Sequence, residues 1–148
     1  MLTRLKTWWF SLRNKILEYP VLYSQIEHLL KTRIKPSKYY EIMDSWYYTT
    51  TLDNLKKITN FIPIKYQPYK KETFDCDDFT REYIALIKKM FPSLLIGRAH
   101  VYREDKSKHV CVMLFYVTKT NRLDYTFLEP QTNKIARFAW KPYMVLIE

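Results

Sequence analysis

The stretch DCDDFTREYIALIKKMF, residues 75–91, carries the strongest helix pattern in the chain. Its apolar side chains recur at steps of three and four residues, which places them on one face of an α-helix. Asp75 is a good N-cap, and Pro92 ends the pattern. The stretch therefore predicts a helix from about Asp75 to Phe91, with an apolar stripe formed by Cys76, Phe79, Tyr83, Leu86, Ile87 and Met90.

Other helix patterns precede this stretch, and strand patterns follow it. We expect helices at 2–16, 21–34 and 53–61, strands at 94–103, 109–117 and 123–128, and a last strand within 136–147. Helices followed by an antiparallel meander indicate an α+β fold. We divide the chain into a helical N-terminal segment, 1–44, and a cysteine-containing domain, 45–148.

The composition excludes several classes of function. The 148 residues include one glycine, Gly97, whereas phosphate-binding loops of nucleotide enzymes need several. The two cysteines have no metal-ligand spacing, so we expect neither a metal nor an organic cofactor. We find no membrane span and no signal peptide, and therefore expect the host cytoplasm or a virion. The aromatic share of 17% and the scarcity of glycine indicate an AT-rich coding bias of the kind common in phages.

The net charge of +10 favours acidic partners. The pattern of residues 1–17 combines Trp8, Trp9 and Phe10 with four cations, so this helix is a candidate for contact with an anionic membrane or a partner protein. Packing on its own domain is the alternative. Nucleic-acid binding is a third interpretation, but the chain contains no recognised nucleic-acid motif. The oligomeric state is not predicted.

Cys76 is a candidate nucleophile because of its position in the first turn of the predicted helix. A helix N-terminus carries a partial positive charge that stabilises a thiolate. Asp75, Asp77 and Asp78 oppose that effect, and cysteines on apolar helix faces are often inert core residues. The position therefore makes a nucleophile plausible without establishing one.

His109 is the best candidate base among the three histidines. Pairing His109 with Glu129 places the centre of their hairpin at Lys119, inside a polar turn. Glu129 can then accept the imidazole N–H and orient the ring, as a third triad member does. His100 lies across from the region of Cys111, without a carboxylate beside it, and His28 falls in an early helix.

With these residues the sequence resembles the papain-like and transglutaminase-like cysteine proteins of phages. The motif residues are Phe74-Asp75-Cys76-Asp77-Asp78-Phe79, a histidine that starts a strand, and Leu128-Glu129-Pro130-Gln131-Thr132. The same Cys, His, Glu order makes it similar to the C-terminal cysteine-protease domain of a fungal agglutinin. The resemblance implies that Cys76 is the nucleophile, His109 the base and Glu129 the orienting carboxylate. Candidates for oxyanion or substrate contacts are Gln67, Tyr66, Tyr69 and Gln131.

The resemblance implies a thiol-dependent hydrolase, a peptidase or amidase that acts on a peptide or a cell-wall amide. We lean towards an enzyme without deciding the point. The alternative is a catalytically silent binding or structural protein, associated with a virion, on the same fold.

Overall fold

One sheet contains all eight strands of the part of the chain that the structure, a computed structural model, describes: residues 2–62, 75–136 and 139–148. The helices are α1 (Leu2–Asn14), α2 (Tyr23–Leu29), α3 (Leu52–Phe61) and α4 (Cys76–Met90), and a single π-helical turn (Leu30–Ile34) follows α2. The strands are β1 (Tyr19–Leu22), β2 (Tyr39–Ile42), β3 (Trp46–Thr51), β4 (Ile96–Tyr102), β5 (Lys108–Val117), β6 (Leu123–Glu129), β7 (Lys134–Ala136) and β8 (Lys141–Ile147).

The sheet is mixed, and β5 lies near its centre. On one side β5 pairs with β4 and, at its end, with β3 in parallel; on the other side it pairs with β6. β4 also pairs with β8, and β8 pairs in parallel with β2. β1 pairs with β3, and β7 pairs with β6. Strands from the first third of the chain therefore extend the sheet beyond the meander that follows α4.

Two apolar clusters cover the two faces of the sheet, and β5 contributes to both. Cys111, Met113 and Phe115 pack with side chains of α2 and the π-helical turn. Val112, Leu114 and Tyr116 pack with side chains of α3 and α4. A strand that is buried on both faces has a nearly continuous apolar sequence, and residues 109–117 have such a sequence.

The predicted α+β architecture, with N-terminal helices packed on an antiparallel meander, is wrong. The structure is mostly β, a curled eight-stranded sheet with few helices. The predicted helix at 21–34 is β1, α2 and a π-helical turn, and residues 39–51 contain β2 and β3. These short strands pair with partners far away in sequence, such as Tyr39 with Met144, so no local pattern marks them.

Within 2–62, 75–136 and 139–148, the structure contains no helix with the length and apolar character needed to cross a membrane.

Candidate functional site

Cys76 is the first residue of α4, and the helix start is held by its cap. The Asp75 carboxylate accepts a hydrogen bond from the Asp77 N–H at 3.0 Å, and Asp78 accepts one from the Asp75 N–H at 3.2 Å. This reciprocal cap satisfies amide donors that the first helical turn leaves free. The Cys76 side chain is half-buried, and the thiol is free.

Thr80 joins the start of α4 to β5. Its buried hydroxyl lies 2.8 Å from the Cys76 carbonyl oxygen and 3.2 Å from the Val110 carbonyl oxygen. Val110 directly follows His109 in β5, so this contact fixes the helix start beside the proposed base.

His109 and Glu129 form the central polar contact of the site. The His109 ring is 4% exposed, and its Nε2 lies 2.6 Å from Glu129 Oε2. A neutral imidazole that bonds a carboxylate through Nε2 carries its proton there, so Nδ1 is left as an acceptor. Glu129 also accepts a hydrogen bond from the backbone N–H of Gln131 at 3.3 Å.

Glu129 reaches His109 diagonally and not from the directly opposite position. In the observed register Val112 pairs with Leu128, which places the residue opposite Glu129 at Cys111. The predicted hairpin centre is therefore off by one residue. Diagonal neighbours in a sheet are within reach of long side chains such as glutamate.

Burial lowers the pKa of His109, because desolvation disfavours the imidazolium, and the positive charge of Arg103 lowers it further. Hydrogen bonding with the Cys76 side chain and with Glu129 raises it, as does the negative charge of Glu129, and together these raise the pKa above the ordinary value of 6.5. The net effect of these groups is to raise the pKa of His109 despite its burial.

Arg103 and Trp140 complete the surroundings of this pair, and sequence reasoning missed both. The Trp140 ring meets the His109 ring edge-on, with centroids 5.2 Å apart. The Arg103 guanidinium lies 5.7 Å from the Trp140 centroid and 3.8 Å from Glu129 Oε2. Arg103 follows β4 at the end that meets the start of β5, so the predicted hairpin already placed it near His109. The position of Trp140 could be predicted only from the order of the strands in the sheet.

Tyr102, Tyr143 and His100 lie on the paired strands β4 and β8 and form an aromatic cluster, which we call the aromatic shelf. The Tyr102 and Tyr143 ring centroids are 4.7 Å apart, and the His100 ring is 5.9 Å from Tyr143. Burial raises the pKa of Tyr143, and the charges of Tyr102 and Cys76 add to that effect, which places the shelf in the electrostatic range of the thiol. Lys38 Nζ lies 5.4 Å from the Tyr143 centroid.

The remaining sequence candidates have different positions. Gln67, Tyr66 and Tyr69 lie outside the described residues, and the Gln131 backbone contacts Glu129. Cys111 is fully buried, and burial raises the pKa of its thiol well above the ordinary value. Among the described residues, no three His, Cys, Asp or Glu side chains are placed to hold a metal ion.

Comparison with solved structures shows a fold shared with a fungal lectin. The chain is similar to a complex of PSL1a with E64, at a TM-score of 0.68 and 22% identity over 86% of this chain and 51% of that one. It is also similar to the Polyporus squamosus lectin bound to the human-type influenza-binding epitope Neu5Acα2-6Galβ1-4GlcNAc, at a TM-score of 0.66 and 22% identity over 86% of this chain and 49% of that one. The chain thus spans about half the length of these structures. No protein-family model and no curated protein sequence matches it.

These structural matches show that the family resemblance inferred from the Cys, His, Glu motif was wrong. The neighbours are a sugar-binding lectin and not papain-like or transglutaminase-like proteases, and they come from Polyporus squamosus and not from a phage. The prediction of a thiol-dependent hydrolase, a cysteine peptidase or amidase, is therefore wrong. A cysteine-bearing helix and a Cys, His, Glu order are local features, and they do not decide the fold or the activity. What the chain shares with these structures is the fold of a lectin from Polyporus squamosus.

Proposed function

We propose that this chain is a ligand-binding protein whose site is formed by Cys76, His109 and Glu129 together with the aromatic side chains beside them. The observation that carries the proposal is the buried His109, whose Nε2 lies 2.6 Å from Glu129 Oε2, on the strand that Thr80 joins to the start of the Cys76 helix. A half-buried thiol lies near the His109–Glu129 pair, with aromatic rings close by. Ligand-binding sites typically have this composition, with apolar walls and a few precisely placed polar groups.

The Cys76–His109 contact supports a reactive thiol at this site. The α4 N-terminus and a protonated His109 both stabilise a negative charge on sulfur. The thiolate is the form that attacks an electrophile. We therefore expect the site to hold electrophilic ligands covalently, and E64, the ligand of the similar PSL1a structure, is the first to test.

Carbohydrate is the ligand class that we propose for the surrounding surface. The Tyr102 and Tyr143 rings offer apolar faces for the C–H groups of a sugar ring, and Arg103 and Lys38 offer cations for an acidic sugar. The epitope bound by the similar lectin contains a sialic acid, which carries a carboxylate. The surplus of positive charge in the chain, +10, is in keeping with an anionic glycan.

Thiol alkylation tests the reactive part of the site. At neutral pH, iodoacetamide should label Cys76 in the native protein, with iodide displaced by the sulfur. The rate in His109→Ala should be lower, because the imidazole proposed to stabilise a negative charge on sulfur is removed. Cys111→Ala is the matched control, because that thiol is buried and should react only after unfolding. Equal rates in wild type and His109→Ala would contradict the proposal for the thiol.

Glycan titration tests the proposed ligand class separately. Calorimetry with Neu5Acα2-6Galβ1-4GlcNAc should show binding that Tyr143→Ala and Arg103→Ala weaken. Tyr39→Ala, a half-exposed tyrosine on β2, serves as the control. If no heat of binding is measured, or if Tyr39→Ala reduces it as much as the site variants do, carbohydrate is not the ligand of this site. The proposal of a reactive thiol would then be judged by the alkylation experiment alone.

A further inference from the structure

Helix α1 presents two different surfaces. On one, the Phe10 ring stacks on Phe61 with centroids 4.2 Å apart, and it meets Phe91 edge-on at 6.3 Å. This contact holds the helix against α3 and the end of α4. On the other surface, the side chains of Trp8 and Trp9 are 60% and 63% exposed. A packed helix that leaves two adjacent tryptophans exposed indicates a contact that the described residues do not provide.

The charged side chains beside Trp9 are cations, whereas Glu18 lines the groove next to Trp8. Lys6 and Arg13 lie three residues before and four residues after Trp9, which places them on the same side of the helix. With Trp9, Phe10 and Phe61 they line a groove beside α1. Residues 2–14 contain no aspartate or glutamate. Trp8 lies about 100° around the helix from Trp9, on the side away from Lys6 and Arg13, so the exposed face runs from Trp8 through Trp9 to the two cations.

We propose that this surface of α1 binds an anionic lipid bilayer, with the helix lying in the plane of the interface. Indole rings favour the headgroup level, where the ring is in apolar surroundings and the N–H stays hydrated. Lysine and arginine beside them contact lipid phosphates and carboxylates. The complementary charge selects an anionic surface over a zwitterionic one. Phe10 keeps the helix attached to the domain, so the bilayer holds the whole protein and not a detached peptide.

Vesicle sedimentation tests this inference with the full chain. Phosphatidylcholine vesicles that contain phosphatidylserine should bring the protein down, and pure phosphatidylcholine vesicles should not. Trp8→Ala/Trp9→Ala and Lys6→Glu/Arg13→Glu should each weaken binding at least about tenfold. Added salt should weaken the wild-type interaction.

The matched control is Trp46→Ala, which removes a tryptophan that is 53% exposed on β3, away from α1. Binding in this variant should equal that of wild type, and thermal melting should show that every variant is folded. Three results would overturn the inference: no sedimentation with phosphatidylserine vesicles, equal loss in Trp46→Ala, or RNA binding through Lys6 and Arg13 with inert vesicles. Light scattering that shows a dimer dissociated by Trp8→Ala/Trp9→Ala, again with inert vesicles, would assign the surface to a second copy of the chain.

Discussion

His109 and His100 lie on adjacent strands, and their surroundings shift their pKa values in opposite directions. Burial lowers the pKa of both rings. At His100 the positive charge of Arg98 lowers the pKa further, and Asp77 raises it only in part. At His109 hydrogen bonding with Cys76 and Glu129, together with the charge of Glu129, outweighs burial and the charge of Arg103. These partners of His109 therefore distinguish it from His100.

Glu129→Gln should lower the pKa of His109 and leave that of His100 unchanged. The amide keeps the shape of the carboxylate but removes its charge, and the charge is one of the terms that raise the His109 pKa. A pH titration of the ring proton signals by NMR measures both values at once. An unchanged His109 pKa in Glu129→Gln would mean that Glu129 does not control its ionisation.

The same pair makes stability depend on pH in a defined direction. Because the folded pKa of His109 is raised, its stabilising effect is fully present below the ordinary value of 6.5 and is lost as pH rises through the folded pKa. The free energy of unfolding of wild type should exceed that of Glu129→Gln just below pH 6.5, where the imidazole is charged and the carboxyl group is still ionised. That difference should shrink towards alkaline pH in urea unfolding experiments. A difference that grows with pH would reverse the assignment.

At the scale of single elements, the cap of α4 sets the position of Cys76. Asp75→Ala should destabilise the protein by about 1 kcal/mol, because the Asp77 amide loses its acceptor. Asp75→Asn should stay near wild type, since asparagine caps equally well. Asp53→Ala is the control: its carboxylate is exposed in the first turn of α3 and lies 3.9 Å from Lys56. Chemical unfolding of the three variants measures the differences, and equal losses at Asp75 and Asp53 would speak against the cap.

Gly97 is required by the packing of β4 on β8. A Cβ at this position would lie 2.8 Å from the Leu146 carbonyl oxygen and 2.9 Å from Ile147 Cδ1. Gly97→Ala should therefore cost about 1–3 kcal/mol of stability by overpacking. Adding Ile147→Val removes Cδ1 but not the backbone oxygen, so the double variant should recover only part of the loss. Full recovery in thermal unfolding would show that the side-chain contact alone excludes the methyl group.

The elements made of local contacts are those that the sequence predicted. The helix expected at 75–91 is observed as Cys76–Met90, and the three strands after it are found near their expected positions. β1 and β2 were missed because a four-residue strand with a distant partner has no local signal, and the six-residue β3 was missed because its partners are distant too; Thr50, for example, pairs with Tyr116. The fold class was wrong for this reason. The nearness of His109 to Glu129 follows from a short hairpin, whereas Trp140 joins the site only through the order of the sheet.

At the scale of the whole molecule, residues 1–44 are part of the sheet and of its core. β1 pairs with β3 and β2 pairs with β8, so this segment adds a strand at two different places. Ile26, Leu29 and Leu30 are buried in the cluster that contains Met113 and Phe115. Arg33 also forms an ion pair with Asp124 at 3.0 Å. By contrast, the described contacts of α1 with the rest of the chain centre on Phe10.

Two truncations test whether the predicted division after residue 44 separates two units. Removing residues 1–17 takes away α1 and leaves the described sheet complete, so cooperative thermal unfolding should persist. Removing residues 1–44 takes away β1, β2 and α2, which exposes the apolar side chains of β5 and two sheet edges. Because exposed edges and lost core burial destabilise a sheet, residues 45–148 alone should lack a cooperative transition and dispersed amide signals in NMR. If residues 45–148 instead unfold cooperatively and keep the His109–Glu129 contact, the division is real, and the N-terminal strands are additions to a domain that folds by itself.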